Sequence, residues 1–231
     1  MRERILKITI ISLALIACIC SAHANLFINE IDYDTVSTDN AEWIELAGTA
    51  GQSLAGFELV LIDQDGSEYG TIDLTPSAYT FTDETGTGWG WFVLGLVEPA
   101  YGVSPDFTPT GWTANEIQNG TTDSIQLRQI SGLVNVHLID YEGDNPNTSE
   151  DQLTSLPDSN TSGQTSLYLT GVGSDFSSFS FENTAGAGTP GALNSGQTIT
   201  VVPEPNTAVL FGVALLVMML IRRRFSSFAF C

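Results

Sequence analysis

The stretch Leu26-Phe27-Ile28-Asn29-Glu30-Ile31-Asp32-Tyr33 interleaves apolar and polar residues and is rich in β-branched and aromatic side chains. Such a composition favours a strand over a helix. After a polar loop, the segment 41–46 alternates Ile44 and Leu46 with Glu45, as expected for a sheet with one face in water. The two stretches predict the first strands of a β-rich domain, with their acidic side chains on a solvated face.

Further strands are predicted at 57–62, 69–74, 89–97, 124–130, 133–141, 166–171 and 176–181. The segment 89–97 is expected to lie centrally in a sheet because it is apolar and aromatic along its length. The long stretch 98–122 contains three prolines and is expected to connect two sheets as a loop or crossover. About eight short strands without a convincing soluble helix predict an all-β fold, an antiparallel β-sandwich.

Two pairs of these strands are predicted to form hairpins. Asp65-Gly66 supplies the turn of the first, in which Phe57, Leu59 and Leu61 share one face of the strand. Ser131-Gly132 supplies the turn of the second. The alternation there predicts that two apolar residues of the first strand face three of the second, namely Ile125 and Leu127 against Val134, Val136 and Leu138.

The amino end has the features of a secretory signal peptide. Basic residues precede an apolar run at 8–20, and Ala22-His23-Ala24 has the small-x-small pattern of a cleavage site. We expect residues 1–24 to be removed after Ala24, which leaves one exported domain at 25–195 and a Ser/Gly/Thr linker at 196–201. Lipoprotein processing at Cys18, within Leu15-Ile16-Ala17-Cys18, is an alternative.

The exported region is strongly acidic and contains no cysteine. Residues 25–201 hold 25 of the 27 acidic residues and only Arg128 among the seven Lys and Arg, so their net charge is about −24. Such a surface repels phosphate backbones, which excludes nucleic acid as a partner. Because the three cysteines lie at 18, 20 and 231, disulfides cannot hold the exported domain together, and core burial must do so.

The carboxyl end combines three features. The prolines of Val202-Pro203-Glu204-Pro205 keep the backbone extended and accessible. An apolar run follows at 208–221, and Arg222, Arg223 and Arg224 hold its far end on the cytoplasmic side. The run is shorter than the roughly 20 residues that a comfortable membrane span needs. We therefore expect a temporary inner-membrane anchor that is removed by cleavage, with a permanent anchor as the alternative.

This order of motif, hydrophobic run and arginine cluster at 202–224 resembles the PEP-CTERM sorting domain of Gram-negative bacteria. The resemblance implies recognition by an exosortase, an integral-membrane cysteine transpeptidase that processes the chain near the motif and releases it to the cell exterior. The largely apolar tail at 225–231 is longer than is usual in that family.

A second resemblance covers nearly the whole exported region. The stretches 28–34 and 41–46, then Leu54-Ala55-Gly56-Phe57 and finally Thr189-Pro190-Gly191-Ala192-Leu193-Asn194, are together similar to a bacterial lamin-tail domain. The resemblance implies an immunoglobulin-like sandwich that acts as a structural or adhesion module and has no catalytic residues of its own. The stretch 98–122 is an insertion relative to a minimal domain of this kind.

Residues for catalysis are scarce in the exported region. Its one histidine, His137, lies inside a predicted strand, without a nucleophile elbow, and is more simply a structural residue than a catalytic base. The absence of cysteine together with a single histidine argues against zinc or copper. We therefore expect neither an enzyme nor a resident cofactor.

Calcium is the one metal that the carboxylates could bind. Asp63, Asp65 and Glu68 superficially resemble a calcium loop, although a hairpin turn explains them equally well. The alternate residues Glu30, Asp32 and Asp34 are a second candidate set, for which a solvated strand face is the simpler interpretation.

The sequence thus predicts an exported, non-enzymatic β-sandwich protein. An exosortase would deliver it to the cell surface or to an extracellular polysaccharide matrix, where it would serve as a structural or adhesive component. The alternative is a membrane-tethered module for calcium-dependent binding or adhesion.

Overall fold

The computed structural model describes residues 25–34, 41–119, 122–141, 143, 145–146, 165–181 and 186–200. The predicted signal peptide with Ala22 and Ala24, the sorting signal at 202–224 and the tail at 225–231 lie outside these ranges. Within them the chain forms strands and three short 3-10 turns, at Thr75–Ser77, Pro99–Tyr101 and Phe176–Ser178. No helix in this described part is long and apolar enough to cross a membrane.

The strands follow one another closely along the chain. They are β1 (Leu26–Asp32), β2 (Trp43–Thr49), β3 (Phe57–Ile62), β4 (Glu68–Asp73), β5 (Trp89–Gly95), β6 (Asp123–Gln129), β7 (Val134–Tyr141), β8 (Thr165–Gly173), β9 (Phe179–Phe181), β10 (Gly186–Ala187) and β11 (Gln197–Ile199). The β-branched and aromatic segments singled out in the sequence therefore form strands, and the fold is all-β as predicted. The prediction at 176–181 holds for Phe179–Phe181 only, because Phe176–Ser178 is a 3-10 turn.

The strands belong to two sheets. The first has the order β10-β8-β1-β2-β5, and β8 also pairs with β9 and with β11. The second has the order β4-β3-β6-β7. Neighbours are antiparallel except for β11, which runs parallel to β8 and pairs Gln197 with Gly171 and Ile199 with Gly173.

Both sheets contribute to one hydrophobic core. The first sheet supplies Ile31, Ile44 and Phe92, and the second supplies Leu59, Leu61, Ile125, Leu127 and Ile139. Since these side chains form a single buried cluster, one face of each sheet is directed at the other, as the period-2 alternation of β3 predicts. On the opposite face of β3, Val60 and Ile62 pack with Leu138 in a small separate cluster.

Both predicted hairpins exist, and the turn of the first is the one expected. The backbone N–H of Gly66 donates to the carbonyl of Asp63 at 2.8 Å, and the Asp65 carboxylate accepts from the N–H of Ser67 at 2.8 Å. Gly66 has a φ of 82°, which a residue with a side chain rarely adopts. The residues Asp63 and Asp65 are thus turn residues.

The predicted facing residues of the second hairpin are wrong. A register shift between Leu127 and Arg128 places Leu127 opposite His137 and Ile125 opposite Ile139. One extra residue in a strand reverses the faces of all residues beyond it. Val134 and Val136 are consequently exposed, at 52% and 37% of their surface.

The predicted central position of 89–97 is also wrong, because β5 stands at the end of its sheet. Its open edge is covered by part of the 98–122 stretch, since the N–H groups of Asp106 and Phe107 both donate to the carbonyl of Val93. This cover explains why β5 is buried along its whole length although it is a terminal strand.

Candidate functional site

A β-bulge in β1 creates the polar site of this domain. The pairing of β1 with β2 shifts between Ile28 and Glu30, so that Asn29 has no partner of its own. Ile28 and Ile31 both remain in the hydrophobic core. Asn29 and Glu30 therefore both point to the face of the sheet that is turned away from the core.

That face is not in water, as the sequence had suggested, but is covered by the carboxyl-terminal part of the domain. The segment 189–197 lies over β1 and β2, and it ties to Asn29, Glu30 and Glu45 by hydrogen bonds. Glu30 and Glu45 are both 0% exposed. We call the contacts of Thr189, Gly191, Asn194 and Gln197 with Asn29, Glu30 and Glu45 the carboxyl-terminal clasp.

Glu30 lies at one end of the clasp. Its Oε1 accepts hydrogen bonds from the Ser166 hydroxyl and from the backbone N–H of Thr189, the latter at 2.9 Å. Its Oε2 lies 3.2 Å from the Thr189 hydroxyl oxygen. One carboxyl group thereby links β1, β8 and the segment after β10, which are up to 159 residues apart in the sequence.

Glu45 is the partner of Glu30 across the β1–β2 pair. Its Oε1 accepts from the Asn29 amide at 2.7 Å, and its Oε2 accepts from the backbone N–H of Gly191 at 2.6 Å. Gly191 can present its N–H because Pro190 and Gly191 form a tight turn, closed by a 2.9 Å bond from the Ala192 N–H to the Thr189 carbonyl. The φ of 78° at Gly191 favours glycine there.

Asn194 and Gln197 complete the clasp. The Asn194 side-chain amide donates to the carbonyls of Asn29 and Leu169, both at 3.3 Å. The Gln197 amide donates to Asn29 Oδ1 at 2.7 Å. Gln197 begins β11, so part of the segment expected to be a linker, 196–201, is instead a paired and partly buried strand.

The two clasp carboxyl groups have raised pKa values. Burial raises the pKa of Glu30 from 4.5 to about 7. Burial, and then repulsion by Glu30, raise the pKa of Glu45 well above its ordinary value. No basic residue can offset them, because Arg128, the single Lys or Arg of 25–201, bridges Glu58 at 2.6 Å and Glu68 at 2.5 Å on the other sheet.

Asp32 is a third buried acid on the same strand. Neither of its oxygens has a hydrogen bond of ordinary geometry within the described residues. The Trp43 indole N–H and the Tyr101 hydroxyl, which face this carboxyl group, have no such bond either. Burial, and next repulsion by Glu98, raise the pKa of Asp32 to about 8.

The calcium candidates do not come together as ligands. No group of three or more His, Cys, Asp or Glu side chains in the described part of the chain is arranged to hold a metal ion. Asp63 and Asp65 form the first hairpin turn, and Glu68 is taken by Arg128. Glu30, Asp32 and Asp34 are buried instead of lining a solvated strand face.

His137 is also a buried residue. Its Nδ1 accepts a hydrogen bond of 2.9 Å from the backbone N–H of Ile28. The centroid of its ring lies 3.9 Å from the centroid of the Phe176 ring. Burial lowers the pKa of His137 to about 3, so the imidazole is neutral at ordinary pH. With Nδ1 engaged and the ring covered, it is poorly placed to take a proton from a substrate.

Sequence reasoning missed the clasp as a unit. The sequence patterns did not indicate that the side chains of Asn29, Ser166 and Gln197 form polar contacts. They predicted a solvated strand face for Glu30 and Glu45. The available signal was the pair of motifs quoted for the second resemblance, Ile28-Asn29-Glu30 and Thr189-Pro190-Gly191-Ala192-Leu193-Asn194. Neither motif alone shows that a backbone N–H near the second would meet a carboxylate of the first.

Comparison with known proteins identifies a sorting signal that follows the clasp residues in the sequence. Residues 201–224 match the family model described as the PEP-CTERM protein-sorting motif. No curated protein and no solved structure matches the chain. The match begins two residues after β11 ends at Ile199. It marks an exported protein that is processed by an exosortase and sent to the cell envelope or surface.

Proposed function

We propose that this chain is a non-enzymatic structural or adhesive protein of the cell surface or of an extracellular polysaccharide matrix. The carrying observation is the sorting motif at 201–224, which follows directly on an all-β domain. In this proposal the host is a Gram-negative bacterium, and 208–221 with Arg222–Arg224 serves as a transient inner-membrane anchor. The signal peptide 1–24 starts export.

The proposed domain type is an immunoglobulin-like sandwich similar to the lamin-tail domain. Its support is the clasp, in which three of the stretches quoted for that resemblance, 28–34, 41–46 and 189–194, meet through hydrogen bonds of Glu30 and Glu45. This contact explains the residues of the motifs, because the backbone N–H groups of the turn around Gly191 donate hydrogen bonds to buried carboxyl oxygens. The motif residues therefore support a fold rather than a reaction.

The burial and the hydrogen bonds of the polar groups support a structural role. The clasp carboxyl groups bind other parts of the domain and are closed to solvent, whereas a general acid or base must reach a substrate. His137 is likewise engaged with β1. Acidic surface charge of the size found here favours solubility outside the cell and binding to cations or basic partners.

The processing half of the proposal is tested by replacing Pro203, Glu204 and Pro205 with alanine and fractionating cells of the native host. We expect the variant to stay with the membrane at full length, while the parent chain is released. A matched control replaces Glu98 and Pro99, an equivalent Glu-Pro pair outside the motif, and should be released normally. Release of both variants would refute processing at the motif.

The matrix half needs a separate measurement. Released protein from an exosortase-positive culture is separated into medium, cell-surface and polysaccharide fractions, and its mass is determined. We expect most of the processed protein in the surface or polysaccharide fraction, and enzymatic removal of the polysaccharide should free it. Processed protein found only in the medium would contradict an adhesive or structural role but leave exosortase processing intact.

A further inference from the structure

The hydroxyl group of Thr189 has more acceptors around it than it has hydrogens. Its Oγ1 lies 2.8 Å from Asn194 Oδ1 and 3.2 Å from Glu30 Oε2. The Asn194 amide cannot be turned round, because its nitrogen donates to two backbone carbonyls, of Asn29 and Leu169. Asn194 Oδ1 therefore only accepts, and its shorter contact with Thr189 uses the single Thr189 hydrogen.

The contact between Glu30 and Thr189 must then be supplied with a hydrogen from the other side. A carboxylate has none, whereas a protonated carboxyl group has one O–H donor. With a proton on Oε2, Glu30 donates to Thr189, and Thr189 donates to Asn194. Every donor and acceptor in this series of hydrogen bonds has a partner only if Glu30 is protonated.

Counting donors and acceptors in the same way gives the opposite result for Glu45. The Asn194 N–H donates to Gln197 Oε1 at 3.3 Å, which fixes the Gln197 amide so that its nitrogen donates to Asn29 Oδ1. Asn29 in turn must present its nitrogen to Glu45 Oε1, and Gly191 presents its N–H to Oε2. Both oxygens of Glu45 receive hydrogens, so its hydrogen bonds need no proton on the carboxyl group, although burial raises its pKa as well.

We propose that the carboxyl-terminal clasp is a proton-dependent latch, in which Glu30 must carry a proton for residues 189–197 to be held against β1 and β2. When Glu30 loses that proton, two acceptors compete for the one Thr189 hydrogen. A negative charge also arises opposite the buried carboxyl group of Glu45 on the neighbouring strand, in a region closed to water. Both effects weaken the hold on the segment that leads to the sorting motif.

Burial raises the pKa of Glu30, although hydrogen bonds from Ser166 and Thr189 act in the opposite direction. Acidic groups surround this carboxyl group. Glu45 faces it from β2, Asp32 lies on its own strand, and Tyr101 approaches from the 3-10 turn after β5. Glu84 adds a negative charge near Glu45. From β8 and from the segment 189–197 the contacting groups are Ser166, Thr189 and amides, which carry no charge. These charged or titratable neighbours are all acidic, so none of them supplies a positive charge that would stabilise an ionised Glu30.

The direction of the pH effect follows from these assignments. The pKa of Glu30 is raised from 4.5 to about 7 in the closed latch, so opening releases a proton between those values. The contribution of Glu30 to closure is therefore fully present below about pH 4.5 and falls as pH rises to about 7, where the effect levels off. The opening equilibrium should rise by about tenfold per pH unit within that window.

The test uses hydrogen exchange on the full-length chain in detergent, read by mass spectrometry and corrected for the intrinsic pH dependence of exchange. We expect peptides covering 186–200 to lose protection between about pH 5 and about pH 7. Peptides from β3 and β6 should keep theirs. Equal protection of 186–200 across this range would overturn the proposal.

Two isosteric variants decide which carboxyl group holds the proton. In Glu30→Gln, the amide nitrogen can donate to Thr189 while the amide oxygen accepts from Ser166, so 186–200 should stay protected at every pH. In Glu45→Gln, an amide nitrogen must face a donor, either Asn29 or Gly191, so protection should fall at every pH. The reverse pattern would refute the assignment. If Glu45→Gln does not fold, the pH profile of Glu30→Gln decides alone.

Asp32 lies close enough to give a pH effect of its own, so a third variant separates the two. Asp32→Asn removes that titration but leaves the hydrogen count of the latch unchanged. We expect the pH response of 186–200 to persist in Asp32→Asn and to vanish in Glu30→Gln. If Asp32→Asn abolished the response, the latch would not be governed by Glu30.

Discussion

The imidazole of His137 joins the two sheets directly to one another. Its Nδ1 accepts a 2.9 Å hydrogen bond from the backbone N–H of Ile28, so β7 of the second sheet is bound to β1 of the first. The donor is available because Ile28 lies beside the bulge in β1. A buried backbone N–H without an acceptor is costly, and here a side chain provides one.

We predict that His137→Leu lowers the free energy of unfolding by about 1–3 kcal/mol at about pH 8, because the Ile28 N–H loses its acceptor. The pKa of His137 is lowered from 6.5 to about 3, so the parent protein loses stability as pH falls below about 6.5. The gap between the two proteins should narrow toward about pH 4 in urea titrations. A gap that widened on acidification would contradict a buried neutral imidazole.

Asp32→Asn should stabilise the protein at neutral and mildly alkaline pH. The pKa of Asp32 is raised from 3.8 to about 8, so the parent loses stability as pH rises through that interval. The variant has no charge to bury and escapes this loss. Thermal melts should show a higher Tm for Asp32→Asn at about pH 8 and nearly equal values at about pH 4. As a control, Asp83→Asn, at an exposed position, should show little change at either pH.

Arg128 should contribute more to the free energy of unfolding than either of its acidic partners does alone. Its Nε donates to Glu58 and its Nη1 to Glu68, and its side chain is 12% exposed. Arg128→Met leaves Glu58 without its cation and should cost about 2–3 kcal/mol. Glu68 is 48% exposed, so Glu68→Gln should cost less than about 1 kcal/mol. Equal losses for Arg128→Met and Glu68→Gln in urea titrations would mean that the pair with Glu58 adds nothing to stability, which would contradict this prediction.

Salt should stabilise the exported region. Its charge of about −24 is largely uncompensated, and screening reduces the repulsion within the folded state. We expect Tm to rise between about 10 mM and about 300 mM NaCl. Calcium chloride at equal ionic strength separates screening from binding, since a larger shift with calcium would indicate a bound ion. A flat response to both salts would remove the repulsion argument.

Local patterns in the sequence were sufficient where a strand obeys simple alternation. Phe57, Leu59 and Leu61 were placed on one face of β3, and that prediction is confirmed. The facing residues of β6 and β7 were wrong because β7 has a bulge at Val136, which has no partner between Leu127 and Arg128 and changes the alternation by one residue. The sequence did not reveal this bulge, because Val134, Val136 and Leu138 alternate without a break across it.

The acidic side chains of β1 and β2 were misplaced for a different reason. Alternation correctly put Glu30 and Glu45 on the face opposite Ile31 and Ile44, but it cannot say what covers that face. The cover comes from Thr189 and Gly191, which are 159 and 146 residues away from their acidic partners. Burial of this kind is decided by the tertiary course of the chain, which composition does not reveal.

The clasp also determines how the domain would respond to mechanical load. Tension applied beyond Thr200 would reach β11 first, which has only three residues, and then the side-chain bonds of Gln197, Asn194 and Thr189 in turn. Peeling of residues 186–199 would lengthen the chain by roughly 45 Å while the hydrophobic core stays intact. A surface protein built in this way would extend at its carboxyl-terminal segment before the force reached the hydrophobic core.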